Sequence, residues 1–539
     1  MRLRRPFALF LAALALVLAD APRARSAPSD ALRWTDATPD AMVDEALARA
    51  VATSVPEQGQ AAALATLVAL APRATSGRVE HGLQRVASTA TVAPELRVEA
   101  ALQARMLASD SGTEAGGRAD HALGVVQALS ILGPFRDTGG GLDAHDGPEA
   151  EKTLFDGAGR YSWGSYDVAW RDVPRAFVTA TGVPLDVFVF PRKESCTWLA
   201  TALDVARPQV LVLHAASTGQ LRLVFDGVDV ARDETVHDSL RFDRLASRVD
   251  AAAGKHLFAA KVCSGALDDD GDVRLRVTNE AGGWPDGVTE TAWASRGSSG
   301  GPVVRHATAH AMTTVLARAI ARSEGDVDTR LDAAILRTFG GADDMRSPRA
   351  PGMLVALADG ALGADRTAMV GWIAPSGANR GAWLDRARAQ GDAGTRAFAQ
   401  RRLVERHVQA GLADWAMASV HGARLDEAKD AEAALLASQV ELALGTDALR
   451  VRALHRLEAV AGASGDAAPD VVLQLLARTA EGLSPVVEAS AREQLTKRGD
   501  WGPDRVRALA STHDRVEAAR AARRAFAGGV SDAADAVAV

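Results

Sequence analysis

Residues 296–304 read RGSSGGPVV and contain G-x-S-G-G-P, the setting of the nucleophilic serine in trypsin-like proteases. That chemistry would make Ser299 the nucleophile, with a histidine and an aspartate earlier in the chain and further strands after the serine to build a specificity pocket. His214, in LVLHAAS, is the nearest in setting to a protease histidine, but it sits inside an apolar strand pattern. Ser298 replaces the aspartate that usually precedes the nucleophile, and HATAHAMTTVLARAIA after Pro302 reads as a helix. A Gly/Ser/Pro linker between two domains accounts for the same residues and is the preferred reading. A trypsin-like serine hydrolase using Ser299 is the alternative.

Other constellations carry less chemistry. His306 and His310 lie four apart, which suits a metal pair on one helical face, but the Glu of H-E-x-x-H is missing and a third ligand is needed. Asp268, Asp270 and Asp272 have calcium-loop spacing, yet the glycine and the twelfth-position acid are out of place, so an acidic hairpin turn is expected. Asp137-Thr138-Gly139 imitates an aspartic-protease triplet without a hydrophobic strand before it or a second copy. Tyr161, Trp163, Tyr166 and Trp170 could stack on sugar rings, sandwich core being the plainer reading. No catalytic set, metal site or cofactor is assigned. Cys196 and Cys263 are the only cysteines; they are the candidate disulfide of an exported protein, with two buried free thiols as the alternative. Strand phasing leaves both open.

Three composition regimes position these residues. Residues 1–27 have a basic start, an apolar stretch from Phe7 to Ala19 and small residues beyond, as in a signal peptide, and the Sec route fits better than the twin-arginine route. The mature chain is therefore expected in the periplasm or outside the cell, with no membrane span of its own. Residues 28–133 form an N-terminal helical region, with apolar residues recurring at three- and four-residue spacing. Residues 134–283 hold the strands: VPLDVFVF, SCTWLATALDV, QVLVLHA, QLRLVFD, HLFAAKVC and DVRLRVTN, with Asp226-Gly227 suited to a type I′ hairpin. Turns between these strands, without crossover helices, predict an antiparallel β-sandwich. Residues 284–304 are the linker. Residues 305–539 read as amphipathic helices without strands, Gly411 and Gly445 closing two of them 34 residues apart, the tetratricopeptide period without its full consensus. The fold class is thus an antiparallel β-sandwich between two all-α regions, the second tetratricopeptide-like.

The runs ILGPF, GGGLDAHDGPE, WGSYDVAWRDV, SCTWLATAL, LRLVFDGVDVARDET, AAGKHLFAAKVC and RLRVTNEAGG together resemble exported envelope proteins of GC-rich bacteria, in which degenerate helical repeats flank a carbohydrate-binding-like β-sandwich. Those proteins are relatives of transglutaminase-like multidomain proteins, but no Cys-His-Asp set is placed here for that catalytic domain. The resemblance implies architecture and export. A net charge of -7 argues against a nucleic-acid partner. The expectation is a noncatalytic scaffold or binding protein, with the repeats contacting a protein or peptide and the sandwich acting as spacer or glycan-contacting module.

Overall fold

The computed structural model describes residues 38–497 except 109–112, 138–140, 145, 150–158, 164–165, 193, 238–240, 264–270, 295–307, 322–324, 361, 375–377 and 428. The expected signal peptide, Ser298, Ser299, His306, Asp268 and Asp270 lie outside the described residues, as does the last helical run near Arg515. No helix among the described residues is long and apolar enough to cross a membrane.

Among the described residues five helices come first: α1 (Pro39–Val51), α2 (Glu57–Leu70), α3 (Arg78–Ser88), α4 (Pro94–Leu107) and α5 (Glu114–Ala122). The helical pattern expected to continue toward residue 133 stops at α5. Gly124 has φ of +87°, and a Cβ there would meet the Val277 carbonyl oxygen at 2.7 Å, so the backbone turns where it touches a strand. The chain then enters β1 (Ser130–Arg136), which takes ILGPF into the first sheet, followed by the short strands β2 (Arg160–Trp163), β3 (Tyr166–Ala169), β4 (Arg171–Asp172) and β5 (Val183–Pro184).

Among the described residues all the strand pairs are antiparallel. In one sheet β6 (Ser195–Val205), β11 (Gly254–Cys263), β8 (Gln220–Phe225) and β9 (Val228–Asp233) lie side by side, and β1 borders the first half of β6. The second sheet is built on β10 (Leu245–Ala251), β7 (Gln209–Ser217) and β12 (Asp272–Thr278). Leu199, Leu223, Phe225 and Phe258 of the first sheet share one apolar cluster with Leu211, Leu213, Leu275 and Val277 of the second. Asp226 and Gly227 both have positive φ, 49° and 79°, in the β8–β9 hairpin. Cys196 and Cys263 stand directly opposite on β6 and β11, their Cα atoms 4.0 Å apart, and are joined as a disulfide.

Three further segments differ from the sequence expectations. VPLDVFVF is only a two-residue strand followed by a helical turn, Leu185–Phe188: the Leu185 amide still donates to the Gly271 carbonyl, but its own carbonyl accepts from the Val189 amide at 2.8 Å. Within the expected linker, Val288–Ala292 forms a strand that pairs with the second half of β6, where β1 has ended. After residue 305 the expectation of helix alone also fails. Ala309–Met312, including His310, pairs with the open edge of β10, and Thr314 then caps the helix Val315–Ala321 by accepting from the Ala317 amide at 3.2 Å. AHAM has no strand pattern of its own; the free backbone groups of β10 impose the conformation.

The remaining helices follow in order: Val327–Thr338, Ala350–Ala358, Ala364–Ile373, Ala378–Gln390, Ala393–Gln409, Ala413–Gly422, Ala431–Leu444, Asp447–Ser464, Asp470–Ala480 and Pro485–Lys497. Gly411 and Gly445 have φ of +69° and +73°, and Thr446 accepts from Leu449 at 3.3 Å to start the next helix. These helices do not form a body separate from the N-terminal ones. Leu64, Leu67, Leu83 and Leu96 lie in the same apolar cluster as Leu331, Ile335, Leu354 and Phe398. Across it, Arg49 of α1 donates to Asp332 at 2.8 Å and to the Gly59 carbonyl at 3.0 Å, with both charged side chains buried.

Removing one partner of that pair strands a charge. Arg49→Ala or Asp332→Ala is expected to lower unfolding free energy by about 3–5 kcal/mol, while Arg49→Met with Asp332→Leu recovers most of the loss. Urea unfolding of the three variants checks this, and single variants as stable as the parent would refute it.

Candidate functional site

The outward face of the second sheet is polar, and α4 lies across it. Alternation sends Leu213, Leu275, Val277 and Val249 to the apolar cluster and turns the intervening residues toward the helix. Register then forms two cross-strand rows: Ala246, His214 and Arg276 in one, Arg248, Val212 and Thr278 in the next. A cleft of about 200 Å³ opens between these rows, the first half of α4 and residues 312–316.

Its floor is a layer of buried charge. Asp243, in the segment before β10, accepts from Arg274 at 3.1 Å and also from Arg276, and His214 Nδ1 lies 3.5 Å away. The two guanidinium groups are held from behind by main-chain carbonyls, Arg274 by Ala180 at 2.9 Å and Arg276 by Leu123 at 2.8 Å. On the other side of His214, Nε2 is 3.0 Å from Thr278 Oγ1. From α4, Glu99 faces this layer and accepts from Gln103 one turn later, at 2.9 Å. Among the described residues Glu99 makes no ion pair.

Burial and neighbouring charge set the protonation states. Burial would raise Asp243, but Arg276 and Arg274 outweigh it and hold the carboxyl well below the usual carboxylate range. Burial pushes His214 down to about 4, and Arg276 adds to the effect, so the imidazole is neutral at pH 7. Glu99 goes the other way: burial first and the Asp243 charge second raise it to about 7, with Arg274 offsetting only part.

The sequence singled out His214 alone from this cleft. Glu99, Asp243, Arg274, Arg276 and Thr278 were missed because nothing local in ELRVEAALQARML, RFDRL or DVRLRVTN shows that these polar residues meet one another across the fold. The available signal was Glu99 and Gln103, four apart on the polar side of ELRVEAALQARML. The aromatic candidates divide. Tyr161 and Trp170 are buried in the cluster on the outer face of the first sheet beside Trp198, whereas Tyr166 is 69% exposed. The Trp163 side chain lies outside the described residues, although its backbone pairs with Tyr166. Asp137 lies 3.8 Å from the Cys196 sulfur, but two sulfurs joined to each other offer no thiolate to a metal.

Glu99 carries a stability signature. Its folded value near 7 stands above the ordinary 4.5, so the stability it contributes is full below about pH 4.5 and is lost as pH rises through about 7. Glu99→Gln keeps the Gln103 contact and removes the titration. Relative to the parent, this variant is expected to gain up to about 3 kcal/mol between pH 4.5 and pH 8. Urea unfolding at both pH values measures it, and a stability difference independent of pH would contradict the assignment.

No known protein family, curated protein or solved structure matches this chain. The resemblance to exported envelope proteins rests on the sequence runs alone.

Proposed function

We propose that the chain is a noncatalytic binding protein of the bacterial envelope, exported to the periplasm or beyond, that holds a small ligand in the cleft under α4. The observation that carries this reading is the cleft itself: an opening of about 200 Å³ whose polar floor is fixed by pairing within the protein. Such a floor is pre-organised, so little ordering is lost when a ligand arrives. In this reading the two sheets are a β-sandwich, because their inward side chains belong to one cluster. The helices from Ala393 onward are degenerate tetratricopeptide-like repeats that contact a protein or peptide, with Trp415, 69% exposed, as an anchor. A glycan contact would use Tyr166 and Phe190, 69% and 91% exposed.

One observation favours a hydrolase instead. Thr278 Oγ1, His214 and Asp243 lie in the order of a nucleophile, base and orienting acid. Three features weigh against that use. His214 at about 4 is a weak base at neutral pH, Asp243 is already engaged by two arginines, and the Thr278 hydroxyl is buried.

Native mass spectrometry of protein purified gently from its source separates the readings when combined with fluorophosphonate labelling. The binding reading predicts a bound compound released with unchanged mass and no covalent label. A label lost in Ser299→Ala or Thr278→Val would establish the hydrolase and end the noncatalytic reading.

A further inference from the structure

The carboxylates that line the cleft are not equivalent. Glu280 pairs with Arg248 at 3.3 Å, Glu95 with Arg318, and Asp243 with Arg274 and Arg276. Glu99 is the exception. It is only 7% exposed, lines the cleft, gives one oxygen to Gln103, and accepts nothing on the other among the described residues. A buried carboxylate without a cation is costly in either protonation state, and an arriving cation would relieve that cost.

The charge around Glu99 is compatible with a cation. Facing it from the sheet are Asp243 before β10, His214 on β7, and Arg274 and Arg276 on β12; its own helix adds Gln103 and Glu95. Both arginines are turned onto Asp243 and main-chain carbonyls, and His214 is neutral. Taken over its lining, the cleft has four carboxylates (Glu95, Glu99, Asp243, Glu280) against the guanidinium groups of Arg248 and Arg276. Its walls are apolar, from Val98, Val212, Ala246, Val315 and Leu316.

We infer that the cleft takes a small primary ammonium ligand with a compact apolar body, its charged end on Glu99 and its body against the walls formed by Val98, Val212 and Leu316. This deepens the binding reading and rests on it. Binding must then release the proton that Glu99 holds below about pH 7, so affinity rises with pH.

Calorimetric titration of the mature protein with n-hexylammonium chloride, at constant ionic strength, tests this, with hexanol and sodium hexanoate as controls. The expected result is saturable binding of hexylammonium, about tenfold tighter at pH 8 than at pH 6. In Glu99→Gln, whose folding is checked by its unfolding midpoint at pH 8, binding is expected to weaken by about tenfold or more and lose its pH dependence. Ala246→Leu, which leaves Glu99 in place and fills the cleft, is expected to abolish binding. No saturable binding of hexylammonium to the parent protein, or equal affinity in Glu99→Gln, overturns the inference. Hexanoate or hexanol binding as tightly as hexylammonium, and lost in Ala246→Leu, also overturns it, while leaving the binding reading intact.

Discussion

The architecture depends on one helix that is buried on two sides. Leu96, Ala100 and Ala104 of α4 recur every four residues and enter the core shared by the helices at both ends of the chain. Leu102 and Met106, on another face, pack against the core of the sheets. A helix used this way turns part of its polar side inward, so Glu99 and Gln103, both buried, meet the second sheet. That sheet must answer with polar groups, and it does so with Arg274, Arg276, His214 and Asp243. The cleft is where this polar contact stays open to solvent along the first turns of α4.

Arginine recurs at several buried contacts between distant elements. In the helical body Arg402 donates to Glu405 at 3.0 Å and also pairs with Glu432, while Arg401 reaches Asp430 at 2.6 Å. Arg73, just after α2, joins the same group through Glu405 and lies 3.6 Å from Glu432. Glu405 would be raised by burial, but Arg402 and Arg73 bring it down to about 2. Together with Arg49 and Asp332, this network ties the start of the chain to helices more than two hundred residues later. The planar guanidinium, with several fixed donors and a weaker hydration shell than an ammonium, suits that task.

The sequence made some of this legible. Strands with two-residue alternation and length, such as SCTWLATALDV and DVRLRVT, coincide with β6 and β12, and the Asp226-Gly227 turn has the positive φ values its residues favour. The helix ends at Gly445 and Thr446 were readable because capping is local chemistry. What escaped depends on distant neighbours. The strand at Ala309–Met312 exists because β10 offers an edge, and α5 ends early because Gly124 touches β12. The cleft escaped for the same reason: a polar strand face looks solvated until another part of the chain covers it. The sharing of one core by both helical regions carries no local pattern, since each amphipathic helix shows only that it has an apolar face.

The helices of residues 39–107 and those of residues 315–409 fold as one body around a shared core and thereby clamp α4 over the sheet. Native-state hydrogen exchange, followed by mass spectrometry in rising urea, tests it directly by comparing Glu57–Leu70 with Val327–Thr338, which meet in the shared core. The account predicts that the most protected amides of both helices open with the same free energy and the same urea dependence. Exchange of Glu57–Leu70 at distinctly lower free energy, with Val327–Thr338 still protected, would contradict it.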